Sequence, residues 1–175
     1  LIAPGLFLPH FLIKADIMST ETLIAPATRS EDGADAFVTF TVAGQLFGVP
    51  VTRVQDILIP EEIAPVPGGP PEVRGLINLR GRIVTVIDMR KHLSLPKAEA
   101  GSGGMCVTVE CRGESYTLFV DSVGDVITLS RSLREGNPAT LDAVWRNMAD
   151  AVYRTDRGLL VALHIDRLLA IGTEA

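Results

Sequence analysis

Apolar residues along this chain recur in twos and are broken by short polar turns. From Ala36 the run Phe37, Val38, Phe40 and Val42 reaches a break at Ala43-Gly44-Gln45 and resumes at Leu46, Phe47 and Val49. That pattern predicts a strand, a tight turn and a second strand. Val51 to Ile59 is again rich in β-branched residues and predicts a further extended segment. Pro60, Pro65, Pro67, Pro70 and Pro71, with Gly68 and Gly69, then impose an irregular connection over Glu61 to Glu72. Gly75 to Leu79 and Arg82 to Ile87 predict another strand pair, after which Asp88 is placed to cap a short helix reaching Leu93. A flexible loop follows from Pro96 to Gly104. A second series then begins: strands over Met105 to Cys111, Ser115 to Val120 and Val123 to Leu129, a polar loop holding Gly136-Asn137-Pro138, strands over Ala149 to Thr155 and Gly158 to Ile165, and a short helix over Asp166 to Ala170.

The second series repeats the first. An offset of 69 places Phe40 on Val109, Gly44 on Gly113, Phe47 on Tyr116, Val49 on Leu118, Val54 on Val123, Asp56 on Asp125 and Ile57 on Val126 without a gap. Farther on, Arg80-Gly81 falls on Arg157-Gly158, and Ile87-Asp88 falls on Ile165-Asp166 after one insertion. Matched apolar positions alone are generic to half-buried strands, which share a period of two. The matched glycine turn, Val-x-Asp and Arg-Gly pairs point instead to internal pseudo-symmetry. The predicted fold is mainly β, with two similar five-stranded SH3-like barrels side by side and intertwined, and only short helices.

The stretch Arg74 to Arg90 is the most informative. Gly81 lies where the chain reverses and tolerates the positive φ such turns demand, so Asn78 and Gly81 are expected to support the turn and Arg80 to stand at its tip. Ile83 to Ile87 is apolar on both faces apart from Thr85, which predicts burial on both sides and a seam between the two barrels. For Arg80 two roles stay open from the residues alone: a contact to a partner carboxylate, or an internal ion pair with Asp88 or a nearby acid. Val54 and Asp56, two apart, are expected to share one strand face, an apolar contact beside a charge that suits an interface. The plainer alternative makes Val54 core and Asp56 merely solvated.

The segment RGLINLRGRIVTVIDMR resembles the signature of the CheW family, the coupling proteins of bacterial chemotaxis. Phe37 to Ile57 resembles the family's opening strands with their Val-x-x-Val-Gln-Asp/Glu-Ile continuation, Leu118 to Val126 (LFVDSVGDV) its Val-Asp-x-Val stretch, and Gly158 to Leu169 its last strand and helix. The resemblance covers residues 36 to 170 and departs at Thr85, where the family commonly has proline. It implies two β-barrel subdomains, no catalysis and no cofactor. It also implies two protein partners, the regulatory domain of the histidine kinase CheA and the cytoplasmic hairpin tip of methyl-accepting chemoreceptors, and a cytoplasmic location at receptor arrays. On this reading Arg80 serves receptor and kinase coupling, and Val54, Asp56 and Ile57 make receptor contact.

Composition narrows the alternatives. A net charge of −5 with 5% aromatics opposes a nucleic-acid role, since no basic stripe or stacking platform offsets the repulsion. Asp121 and Asp125 lack the company of further metal ligands, His10, His92 and His164 are dispersed, and no serine sits in a nucleophile setting, so no catalytic or metal residue is predicted. The rival readings are a small-ligand-binding or enzymatic β-barrel and an oligonucleotide-binding barrel. Cys106 and Cys111, on opposite faces of one strand, are expected to be reduced core residues. Residues 1–35 read as a tail, of which residues 1–17 are an expression scar or upstream extension, with no signal peptide or membrane insertion, and residues 171–175 read as a second tail.

Overall fold

The structure, a computed structural model, describes residues 33–136 and 143–170. Eleven strands and three short helices fill the described residues: β1 (Ala34–Val42), β2 (Gln45–Pro50), β3 (Val54–Leu58), β4 (Val73–Leu79), β5 (Arg82–Asp88), α1 (Met89–His92), β6 (Met105–Cys111), β7 (Glu114–Val120), β8 (Ser122–Ser130), β9 (Arg134–Glu135), α2 (Ala143–Met148), β10 (Ala149–Thr155), β11 (Gly158–Leu163) and α3 (Ile165–Leu168). β1 starts at Ala34, two residues inside the segment expected to be tail, because Ala34 and Asp35 pair with Ser130 and Leu129. Gly33 is described as well, whereas residues 1–32 and 171–175 of the expected tails, and Asn137-Pro138, lie outside the described residues.

Three hairpins reverse through two-residue turns with positive φ at both positions, Ala43-Gly44 (50° and 79°), Arg80-Gly81 (53° and 86°) and Arg112-Gly113 (53° and 84°). This geometry matches the right-handed twist of the flanking strands and places glycine second. Asp88 caps α1 as its sequence context predicted, accepting from the Arg90 and Lys91 N–H groups.

The strands form two sheets, one ordered β8-β1-β2-β11-β10-β9 and the other β3-β6-β7-β5-β4. The internal repeat is present, and it is exchanged between the sheets. Phe40 pairs with Val123 as Val109 pairs with Val54, and Val38 pairs with Val126 as Val107 pairs with Ile57. Each sheet therefore joins the first two strands of one repeat to the later strands of the other, β3, β4 and β5 in the five-stranded sheet and β8, β10 and β11 with the short β9 in the six-stranded one. The joint is a parallel contact, Phe47 with Val161 in one sheet and Tyr116 with Thr85 in the other.

These pairings also correct the sequence alignment of the second hairpin. Thr155 and Gly158 close its turn as Leu79 and Arg82 close the first, and His164 takes the capping position of Asp88. The shift there is 76 residues, so Arg80-Gly81 corresponds to Asp156-Arg157 rather than Arg157-Gly158, and Ile87-Asp88 to Leu163-His164 rather than Ile165-Asp166. The exchange of strands also means that neither repeat forms a barrel by itself. The sheets curl, yet their edge strands, β3 with β4 and β8 with β9, do not pair with each other among the described residues, so closed SH3-like barrels are not what the hydrogen bonding shows.

The exchange places the main core between the sheets, where Val38, Phe40, Val42, Phe47 and Val49 meet Val107, Val109, Leu118 and Val120. Each sheet buries its other face in a smaller cluster: Phe37, Tyr153, Leu160 and Ala162 in one, Ile77, Val84 and Val86 in the other. The central strands are thus buried on both faces, which explains their near-continuous apolar runs. The expected seam holds for β5, which makes the parallel joint with β7 and buries Val84, Val86 and Ile87; it fails for β4, an edge strand, and for Ile83, which is 68% exposed although its apolar setting predicted burial.

Candidate protein-docking site

The edges β3 and β4 of the five-stranded sheet face each other across an open groove of about 790 Å³. Its walls include Leu58, Ile59, Ile77, Leu79 and Ile83, with Glu61 and Glu62 also lining it. Ile59 is 74% exposed and Ile83 68%, the two most exposed large apolar side chains among the described residues. Leaving both on one surface holds apolar area in water, the signature of a contact surface rather than of a folding core.

Part of the groove is closed by the irregular connection after β3. Ala64 exchanges two backbone hydrogen bonds with Leu76, at 2.9 and 2.8 Å, covering part of the β4 edge. The approach is possible because residue 75 is glycine; a Cβ there would overlap the Ala64 carbonyl and the Ile63 side chain.

At the tip of the hairpin, Arg80 Nη2 lies 3.3 Å from Asp56 Oδ2 and bridges the two sheet edges. The Arg80 side chain is 83% exposed and that of Asp56 is far less so. An exposed pair of this kind contributes about 0–1 kcal/mol, so it orients the guanidinium more than it holds the fold together. The internal ion pair open to Arg80 is therefore with Asp56; Asp88 instead pairs with Arg74 at 3.1 Å. Asn78 supports the turn as expected, its Oδ1 accepting from the Gly81 N–H at 2.8 Å.

Val54 and Asp56 do not share a face. A β-bulge at Gln55 lets Val54 oppose Val109 and Asp56 oppose Thr108, which reverses the alternation. Val54 and Ile57 are the pair that lies together, both half-buried against the main core, while Asp56 turns toward Arg80. Sequence spacing alone had no signal for the bulge. Ile59 and Ile83 were also missed, the first at the entrance to a proline-rich connection and the second inside an apolar run.

Asp121 is an anchor between the β1–β2 turn and α1. Arg90 grips it through Nε at 2.8 Å and Nη2 at 2.6 Å, and the Ala43 N–H donates to Oδ2 at 2.7 Å, tying the β1–β2 turn to α1. Burial pushes this carboxyl up, but the hydrogen bonds from Arg90 and Ala43 and the charge of Arg90 outweigh it and hold the group below its ordinary value. A depressed carboxyl stabilises the fold above the unfolded-state pKa of about 4 and loses that contribution as pH falls through the lower folded value. Asp121→Asn is therefore expected to lower stability at neutral pH and to flatten its decline below about pH 4, as followed by denaturant midpoints across pH.

Among the described residues no three His, Cys, Asp or Glu side chains are grouped to hold a metal ion. Cys106 and Cys111 are free and buried, and burial pushes the Cys106 thiol up to about 11, far from a reactive thiolate. No helix among the described residues is long and apolar enough to cross a membrane.

The family model of the CheW-like domain matches residues 36–172. The chain belongs to the CheW-like domain family. The chemotaxis protein CheW of Bacillus subtilis is 35% identical over 104 residues, covering 59% of this chain and 67% of that protein. That of Treponema pallidum is 26% identical over 137 residues, covering 76% and 81%. Among solved structures, the scaffolding protein TtCheW of Thermoanaerobacter tengcongensis superposes with a TM-score of 0.71 at 25% identity, covering 79% of this chain and 94% of that one. The mainly β fold with few short helices is thus the fold of this CheW-like domain, matching the resemblance seen in the β4–β5 segment.

Proposed function

We propose that the protein is a non-catalytic chemotaxis adaptor that joins chemoreceptors to the histidine kinase CheA. In this reading the groove between β3 and the β4–β5 hairpin takes the cytoplasmic hairpin tip of a methyl-accepting receptor, and the adaptor also engages the regulatory domain of the kinase. The observation that carries it is the pair of exposed isoleucines, Ile59 and Ile83, in one groove whose lining includes Leu79 and Ile83 on either side of the turn that carries Arg80. An apolar centre beside an always-charged, multidentate donor is the composition of a protein interface. Family membership supports the reading, as do relatives described as chemotaxis and scaffolding proteins. Leu58 and Asp56 form the β3 side of the groove, Val54 and Ile57 contribute receptor contact from the other, half-buried face of β3, and the adaptor works in the cytoplasm at receptor arrays.

Arg80→Ala tests the assignment. It is expected to weaken binding to a soluble receptor fragment or to the kinase regulatory domain by about tenfold, equivalent to about 1.4 kcal/mol. The melting temperature should stay nearly unchanged, because the ion pair it removes is exposed. Unaltered calorimetric binding to both partners would remove Arg80 from the interface. A large fall in melting temperature would assign it to the fold instead.

A further inference from the structure

The connection between β3 and β4 is a strap that stops one step short of becoming a strand. It runs antiparallel to β4 and is joined to its edge by a single bridge, Ala64 with Leu76. That register sets Ile63 opposite Ile77 and Glu62 opposite Asn78. Ile63 already obeys it, packing into the cluster of Ile77, Val84 and Val86. Glu62 does not: it and Asn78 are both exposed, and no backbone hydrogen bond joins them. Leu76 turns its N–H and C=O away from β5 toward Ala64, so Asn78, two residues on, turns its own to the same side. There they meet the groove of about 790 Å³, whose facing wall is formed by residues 58–62.

We propose that this strap is a latch on the groove: residues 61–64 zip one further step onto β4, pairing Glu62 with Asn78, and shut the groove that they leave open in this structure. The sequence confines the movement to that step. Residues 61–64 are the longest proline-free run between Pro60 and Pro71, and so the part of the strap with successive N–H groups to give. Beyond Glu62 the pairing stops. Glu61 would bring a carboxylate to the face on which Leu79 packs against the cluster, and Pro60 has no N–H.

Closing exchanges hydrogen bonds to water for a backbone pair and removes groove surface from water, while it costs the conformational freedom of residues 61 and 62. These opposing terms are of similar size, which keeps both forms populated. Because the strap is itself a wall of the groove, whatever enters must hold the latch open, and its affinity scales with the open fraction. This last consequence, unlike the latch, rests on the groove being the receptor-docking surface.

Amide exchange of the full chain, read by NMR with no partner present, tests the latch. The Asn78 amide is expected to exchange at least about twofold faster in Glu62→Pro, which has no N–H to give, and at the wild-type rate in Glu62→Ala, which keeps it. Trapping gives the second readout. Glu62→Cys combined with Asn78→Cys should form a disulfide under mild oxidation, since Cα atoms opposed in such a pair lie about 5.5 Å apart. Glu61→Cys combined with Asn78→Cys should not, its side chains pointing to opposite faces; Cys106 and Cys111 are buried away from both, and melting curves check the fold. An Asn78 rate unchanged by Glu62→Pro, or equal crosslinking of the two pairs, overturns the latch. Loss of receptor-fragment binding on oxidation of the Glu62–Asn78 pair, restored by reductant, supports the gate. Binding untouched by a disulfide that does form overturns the gate and the groove as the receptor site, while the exchange result still upholds the latch.

Discussion

Phe47→Ala is expected to remove about 3–5 kcal/mol of stability, a large share of the roughly 5–15 kcal/mol that a domain possesses. Phe47 is fully buried in β2, beside the parallel joint with β11 at which the two repeats exchange strands. Its ring lies 6.0 Å from Phe40 and meets Trp145 edge-on at 5.5 Å. Truncation therefore opens a cavity at the junction of both sheets and α2, where close-packed neighbours can relax only partly. Denaturant unfolding followed by fluorescence of Trp145, the sole tryptophan, checks it. The midpoint should fall sharply with little change in slope. A midpoint near that of wild type would mean that the joint is not where the fold is held together.

Ile83→Asp should have the opposite profile. Its side chain already faces water, so the melting temperature should move little, as surface substitutions usually change stability by less than about 0.5 kcal/mol. Binding of a receptor fragment to the groove should fall by about a hundredfold, roughly 2.7 kcal/mol, because a carboxylate would be desolvated against an apolar partner surface. Ile59→Asp should behave alike from the opposite wall of the groove. Equal affinity for wild type and both variants would show that these isoleucines are exposed for another reason.

Much of this was legible in the sequence because the signals were local. Alternating apolar residues located the strands, glycine after Ala43, Arg80 and Arg112 located the turns, and Asp88 announced the start of α1. The repeat was visible through β1 to β3 and their copies, where the offset is constant. It slipped by one or two residues at the second hairpin because Arg157-Gly158 imitates Arg80-Gly81, although the turn there is closed by Thr155 and Gly158. Strand exchange left no mark that periodicity could read, since a strand needs an apolar neighbour whichever repeat supplies it. The same holds at single residues. The bulge at Gln55 moved Asp56 off the face of Val54, and Ile83 resembled its buried neighbours in type but not in position. Arg80 was placed at its turn correctly, but its acid lay on β3, 24 positions away in the chain, and only the curl of the sheet brings the two together.

Amide hydrogen exchange of the full chain, with and without a saturating soluble receptor fragment, tests the docking claim most directly. Slower exchange is predicted over residues 58–64 and 76–83, the two walls of the groove. Binding that protects neither wall, and leaves Ile59 and Ile83 as accessible as in the free protein, would contradict the account.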